Sequence, residues 1–144
     1  MPRSITDWGG NVAAFAVTIL FNGLANGLPL NGQTTGAISD KYPSLFTPAG
    51  FTFGIWGVIY LLLLTFVVWQ ALPAQRNSVK LASISTLFKV NCLANASWIV
   101  VWHYDLLWLS MIVMLVILAT LVLIYRTLIA GIDAAPFIEH LVLY

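Results

Sequence analysis

Long apolar runs separated by short polar stretches dominate the hydrophobic pattern of this chain. The runs cover about residues 11–28, 51–72, 80–101 and 106–128. Each is close to the ~20 residues that an α-helix needs to cross the apolar core of a bilayer. A further apolar segment, residues 137–144, is too short to cross it. The pattern predicts an all-α integral membrane helical bundle, a single domain over residues 1–144 with four full transmembrane helices and the start of a fifth.

The composition agrees with a membrane protein and excludes several other classes. Hydrophobic residues make up 60% of the 144 residues and charged residues only 8%, whereas a soluble domain has about 25% charged residues. The net charge of +1 does not provide the basic surface of a nucleic-acid-binding protein. The single cysteine, Cys92, excludes an internal disulfide and a cysteine metal cluster. The expected partner is the lipid bilayer.

Polar residues recur on one face of the first predicted helix. Thr18, Asn22 and Asn26 stand at i, i+4 and i+8, and Gly23 and Gly27 form a small-xxx-small pair beside them. Because an asparagine in hydrocarbon needs a hydrogen-bond partner, this face should point into the bundle. The predicted helix-packing positions are Asn22, Gly23, Asn26 and Gly27. The alternative is a polar lining for a ligand.

Aromatic residues follow the same kind of spacing in the next two helices. Phe53, Trp56 and Tyr60 stand at i, i+3 and i+7 of the second helix. The third helix carries one stripe of two amides and two indoles: Asn91, Asn95, Trp98 and Trp102. Such faces have two interpretations. They form either a packed aromatic core or the wall of a pocket for a flat ligand.

Two of these stretches resemble the TspO/translocator-protein family, the tryptophan-rich sensory proteins. In that family a W-x-P-P-x-W-x-F segment leads into a V-W-x-x-L-Y helix. The positions here that correspond to it are Phe46, Pro48, Ala49, Phe51, Phe53, Ile55, Trp56, Ile59 and Tyr60. Phenylalanine replaces both tryptophans of the first segment. Asn95-Ala96-Ser97-Trp98 is similar to the family's L-N-x-x-W sequence.

The resemblance implies a five-helix fold, of which this chain lacks most of the fifth helix. It also implies that Asn95 and Trp98 face a cavity that binds a porphyrin or another tetrapyrrole, with a role in sensing or transport. The resulting set of ligand-binding positions is Phe53, Trp56, Tyr60, Asn95 and Trp98. The competing interpretation is an accessory subunit without its own ligand, which completes its bundle in a homodimer or a larger membrane complex.

Catalytic and metal-binding patterns are missing from the sequence, so no enzyme and no required cofactor are predicted. The carboxylates lie in predicted loops or near helix ends: Asp7, Asp40, Asp105, Asp133 and Glu139. There is no phosphate loop, nucleophile motif or cluster of metal ligands. His103 and His140 are the only imidazoles, and His103 is expected at a solvated helix end.

The basic residues predict the orientation in the membrane. With four spans, Arg3, Arg76, Lys80 and Arg126 fall on one side and Lys41 on the other. Because basic residues are retained in the cytoplasm, the N-terminus is predicted to be cytoplasmic. The long loop from Pro29 to Leu45 then lies on the opposite side, where it is expected to cover the mouth of the bundle.

Overall fold

The computed structural model describes residues 3–28, 30–42 and 49–130. Within them lie five α-helices: α1 (Ile5–Gly27), α2 (Thr35–Asp40), α3 (Ile55–Ala71), α4 (Val79–His103) and α5 (Leu107–Ile129). Three short 3₁₀ segments connect them: Leu30–Gly32, Gly50–Gly54 and Pro73–Gln75. The predicted fold class is confirmed, because α1, α3 with its 3₁₀ turn, α4 and α5 are long and apolar enough to cross a membrane. Phe46, Pro48, His140 and the segment 137–144 lie outside the described residues.

The first helix begins at Ile5, well before the predicted start at about residue 11. The prediction treated Asp7 as a residue of the preceding loop. In the structure Arg3 Nη2 lies 2.8 Å from Asp7 Oδ1, an i, i+4 ion pair that neutralises this carboxylate in the first turn of the helix. Asp7 therefore belongs to the first turn of the helix rather than to a loop.

The centre of the bundle is α4, which has α1 packed along one side and α5 along another. It is among the least apolar of the four spans, yet it is the most deeply buried. The reason is that its polar side chains are turned inward. Asn91 Nδ2 donates to Thr120 Oγ1 of α5 at 2.8 Å and to the Ile117 carbonyl oxygen at 3.1 Å, so the amide is paired within the bilayer.

A buried polar network fixes the end of the bundle where α1 begins and α3 ends. Gln70 is fully buried, and its Oε1 accepts from Arg3 Nη2 at 2.7 Å and from Asn11 Nδ2 at 3.3 Å. Its Nε2 donates to the Trp8 carbonyl oxygen at 3.1 Å. Ser85 of α4 joins the network by donating to Asn11 Oδ1 at 3.0 Å. Three transmembrane helices are thereby connected by groups that are costly to leave unpaired.

Candidate functional site

A continuous stack of aromatic rings joins α3 to α4. The rings of Trp56 and Trp98 have centroids 5.7 Å apart and an interplanar angle of 29°. The stack continues to Tyr60, 6.0 Å from Trp56, and to Trp102, 5.6 Å from Trp98. These separations are typical of offset aromatic stacking. The aromatic stripes of the second and third predicted helices therefore meet inside the bundle.

The start of α3 explains why Phe53 lies on the same side as this stack. Residues Gly50–Gly54 form a 3₁₀ segment, and the α-helix follows from Ile55. In both helix types the side chains of residues i and i+3 point in similar directions about the helix axis. Phe53 and Trp56, which stand on either side of the junction, consequently line one cavity.

This cavity has a volume of about 300 Å³ and lies between α1, α3 and α4; we call it the indole cavity. Its aromatic side is made of Phe53, Trp56, Tyr60 and Trp98. The opposite side belongs to α1 and combines polar and small residues, and Thr35 of α2 borders the cavity as well. The residues outside the aromatic side are Ile19, Asn22, Gly23, Asn26, Thr35 and Ile99.

The two asparagines of α1 are held in place by their own helix. Asn22 Nδ2 donates to the Thr18 carbonyl oxygen at 2.9 Å, and Asn26 Nδ2 donates to the Asn22 carbonyl oxygen at 3.1 Å. Asn26 Oδ1 accepts from the Thr35 hydroxyl at 3.0 Å. Both residues therefore border the cavity from α1 with fixed amides, and Asn26 also anchors α2.

No described residue packs closely on the predicted helix-packing strip at Gly23 and Gly27. A Cβ added to Gly23 or Gly27 would meet no described atom within 4 Å. The helix packs on α4 through another face, which includes Asn11, Phe15 and Thr18. Asn22, Gly23 and Asn26 line the indole cavity instead, the arrangement expected from the alternative interpretation of a polar lining. Gly27 is exposed.

Asn95 is the one predicted ligand position that does not line the cavity. Its Nδ2 lies 3.4 Å from Asn91 Oδ1 and 3.5 Å from the Asn91 carbonyl oxygen. The amide of Asn95 is therefore held by its own helix, next to the residue that bonds Thr120 of α5. The longer side chain of Trp98, one turn further along α4, reaches the cavity instead.

The same indoles border a second space on the side of α5. This space has a volume of about 340 Å³, and Phe53, Trp56 and Trp98 line it as they line the indole cavity. Trp102 contributes here, and α5 supplies Ser110, Met111 and Met114. The aromatic wall is therefore open to a ligand from two directions.

The segment 30–42 covers the end of the bundle next to the aromatic stack, as the sequence predicted for the loop that contains it. Ile38 of α2 is fully buried. Trp102 Nε1 donates to the Thr35 carbonyl oxygen at 3.3 Å. Since Thr35 also bonds Asn26, this residue connects the covering segment to both α1 and α4.

A second attachment of this segment is centred on Asp105, in the turn between α4 and α5. Its carboxylate accepts from Lys41 Nζ at 3.1 Å, from Gln33 Nε2 at 3.3 Å and from the Tyr42 hydroxyl at 3.5 Å. The hydrogen bonds from Lys41 and Gln33 lower the pKa of the Asp105 carboxyl. The ionised form is therefore the one that holds the segment down.

His103 does not lie at a solvated position, contrary to the prediction. It is fully buried, and its Nδ1 lies 2.7 Å from the Ile99 carbonyl oxygen. Because a carbonyl only accepts, Nδ1 carries the proton, and Nε2 has no partner among the described residues. His103 lines neither of the two spaces beside the indoles.

Two residues of this region were not among the predicted ligand positions. Trp102 extends the ring stack, and its spacing of four residues from Trp98 was a usable signal. Thr35 borders the indole cavity from α2, and nothing in the local sequence indicates that the loop returns to this point.

Similarity to known proteins and protein families indicates the family to which the chain belongs. No curated protein and no solved structure gives a significant match. The sequence model of the family described as TSPO-like protein matches residues 7–142, which include every residue of the indole cavity and all of the four membrane-spanning helices except Ile5 and Thr6 of α1. The chain is therefore a multi-pass integral membrane protein that belongs to the TSPO-like family.

Proposed function

We propose that this protein binds a flat, apolar, conjugated ligand of the porphyrin class in the indole cavity, and that it acts in sensing or transport of that ligand rather than as an enzyme. The observation that carries the proposal is the stack of Tyr60, Trp56, Trp98 and Trp102, with an open space on each side of its central indoles. A planar macrocycle interacts most favourably with aromatic rings whose edges and faces are accessible.

The α1 side of the cavity supports the same ligand chemistry. Asn22 and Asn26 add amide groups to a mainly apolar lining, and a few polar groups in such a pocket orient a ligand. An amide oxygen accepts hydrogen bonds, which suits a pyrrole N–H or a protonated carboxyl group of the ligand. Because the Asn26 oxygen already accepts from Thr35, Asn22 is the residue expected to bond the ligand.

The volume of about 300 Å³ lies at the lower limit of pockets for small molecules. A tetrapyrrole would therefore be only partly enclosed, with one edge against the indoles and the remainder between α1 and α3. We expect lipid to contact the exposed edge of the ligand.

Quenching of tryptophan fluorescence by protoporphyrin IX tests the proposal. We expect Trp56→Phe combined with Trp98→Phe to weaken binding, since both central indoles are lost. Trp108→Phe is the matched control, because Trp108 is 82% exposed and lies outside both spaces. Unchanged affinity in the double variant would remove the indole cavity as the binding site.

A second candidate function is a subunit that completes its bundle against a second copy or a larger complex. The exposed Gly23 and Gly27, with open space above both among the described residues, favour it. The mass of the protein in detergent separates the two proposals. A monomer that binds porphyrin supports the first, and an obligate oligomer without porphyrin binding supports the second.

The orientation with a cytoplasmic N-terminus is also a proposal. Arg3, Arg76, Lys80 and Arg126 lie toward the end of the bundle where α1 begins, and Lys41 lies toward the other end. This distribution supports the positive-inside arrangement.

A further inference from the structure

An apolar groove runs along the outside of the bundle between α1 and α3 and has a volume of about 710 Å³. Each helix contributes a row of exposed side chains at i, i+4 and i+8, which places each row along one helix face. The row on α1 consists of Val12, Ala16 and Leu20. The other row consists of Leu64 and Val68 of α3 and of Leu72, which directly follows the last residue of that helix. Buried Phe15 and Val67 form the floor.

The length of this groove matches one leaflet of a bilayer. At 1.5 Å per helical residue, the row from Val12 to Leu20 is ~12 Å long. Half of the apolar core of a bilayer is ~15 Å. A lipid acyl chain that enters from the end of the bundle would therefore lie along most of its leaflet within the groove.

A cation stands at the end of the groove. Trp8 precedes Val12 by one turn of α1, and the Arg76 guanidinium carbon lies 4.8 Å from the centre of the Trp8 ring. The backbone of Arg76 is fixed on both sides. Its amide donates to the Pro73 carbonyl oxygen at 3.3 Å, and its carbonyl oxygen accepts from the Arg3 amide at 2.6 Å.

The positive charge of Arg76 is available to a ligand. Arg76 is exposed, and it forms no ion pair with a carboxylate of the described residues. The carboxylate in the first turn of α1, Asp7, is already paired with Arg3 at 2.8 Å. A guanidinium can donate two parallel hydrogen bonds to a phosphate, which a point charge such as an ammonium cannot.

From the groove and the cation together, we infer that the protein binds one anionic phospholipid at this place. One acyl chain lies between the rows of α1 and α3, and the phosphate contacts the Arg76 guanidinium. An anionic headgroup is selected over phosphatidylcholine because the choline ammonium would add a second positive charge beside Arg76. This lipid site is on the outside of the bundle, and it is independent of the porphyrin proposal.

Native mass spectrometry of the full chain in non-ionic detergent tests the inference. The protein is mixed with equal amounts of phosphatidylglycerol and phosphatidylcholine that carry the same acyl chains. We expect one retained lipid per chain and a preference for phosphatidylglycerol of about fivefold, the factor typical of one basic residue near an anionic headgroup. Arg76→Gln should abolish the preference, and Arg76→Lys should keep part of it.

Matched variants separate this site from general surface attraction. Arg126→Gln removes an exposed basic residue at the same end of the bundle and should keep the fivefold preference. Ala16→Phe fills the groove and should lower retention of both lipids, whereas Ala119→Phe, at an exposed position of α5, should not. Ala16→Leu is the smaller substitution for the case that Ala16→Phe does not fold.

Three results would overturn the inference. The first is equal retention of the two lipids by the unmodified protein. The second is an equal loss of preference in Arg76→Gln and Arg126→Gln. The third is displacement of the retained lipid by glycerol phosphate, because that molecule has the phosphate without acyl chains and would indicate an anion site instead of a lipid site.

Discussion

The indole rings of Trp56 and Trp98 stack across the α3–α4 contact with their centroids 5.7 Å apart. Trp56 comes from a span that is otherwise little buried, and Trp98 comes from the most deeply buried span of the bundle. The pair therefore connects an outer helix to the central one, at the point where the two spaces beside the indoles meet.

Trp98→Leu should destabilise the bundle, because the substitution removes two ring contacts at once, to Trp56 and to Trp102. Each aromatic pair contributes roughly 0.5–1.5 kcal/mol beyond its buried area, so we expect a loss of about 1–3 kcal/mol in the free energy of unfolding. Thermal unfolding in detergent micelles measures it. Trp108→Leu, at an exposed position, serves as the control, and an equal loss in both variants would contradict a structural role of the stack.

Gln70→Leu should destabilise the end of the bundle where α1 begins. The substitution leaves the Asn11 amide without its acceptor, whereas the Arg3 guanidinium keeps its bonds to Asp7 and to the backbone carbonyl oxygen of residue 70. An unpaired buried group costs about 1–3 kcal/mol, so a loss of ~2 kcal/mol is expected in the free energy of unfolding. The control is Thr65→Val, whose hydroxyl donates only within its own helix, to the Leu61 carbonyl oxygen. Equal stability of the two variants would argue against the network.

Asp105→Asn should release the Lys41 end of the covering segment 30–42 at neutral pH, because the carboxylate pairs with Lys41 and accepts from Gln33. The bonds of Thr35 to Asn26 and Trp102 remain. Asparagine tolerates the left-handed backbone found here, φ 56°, so the turn itself should persist. An environment-sensitive fluorophore on Asp40→Cys, at the exposed end of α2, reports the release.

The same fluorophore tests the pH dependence. The pKa of Asp105 is lowered in the folded protein, so its contribution is complete above the ordinary aspartate value of about 3.9. That contribution is lost as the pH falls through the lowered value. We expect no change between pH 7 and pH 5 and release below about pH 4. If Asp105→Asn showed the same acid transition, another carboxylate would be responsible.

A pair of reporter fusions tests the orientation of the protein. A reporter inserted at Gln33 should read as non-cytoplasmic, and one inserted at Asn77 should read as cytoplasmic, since the basic residues cluster at the Asn77 end. Two cytoplasmic signals, or the reverse assignment, would contradict the proposed orientation.

The number of spans follows from the amino-acid sequence, because a run of about 20 apolar residues is stable in a bilayer only as a helix. The sequence also determined that the rings of Phe53, Trp56 and Tyr60 share one face, which follows from helical periodicity alone. Both inferences use local properties of the chain. The contact of Trp56 with Trp98 required in addition that both faces point into the bundle, as they do in the structure.

The packing of the helices against one another determines which of these residues form helix contacts and which line a cavity. Gly23 and Asn95 show the difference, since one was expected in a helix contact and lines the indole cavity, while the other was expected in the cavity and bonds Asn91. Helical spacing gives the angle of a side chain about its own axis, but not the rotation of that helix against its neighbours. That rotation is set by the packing of α1 and α5 on α4, and by contacts distant in sequence such as Arg3 with Gln70.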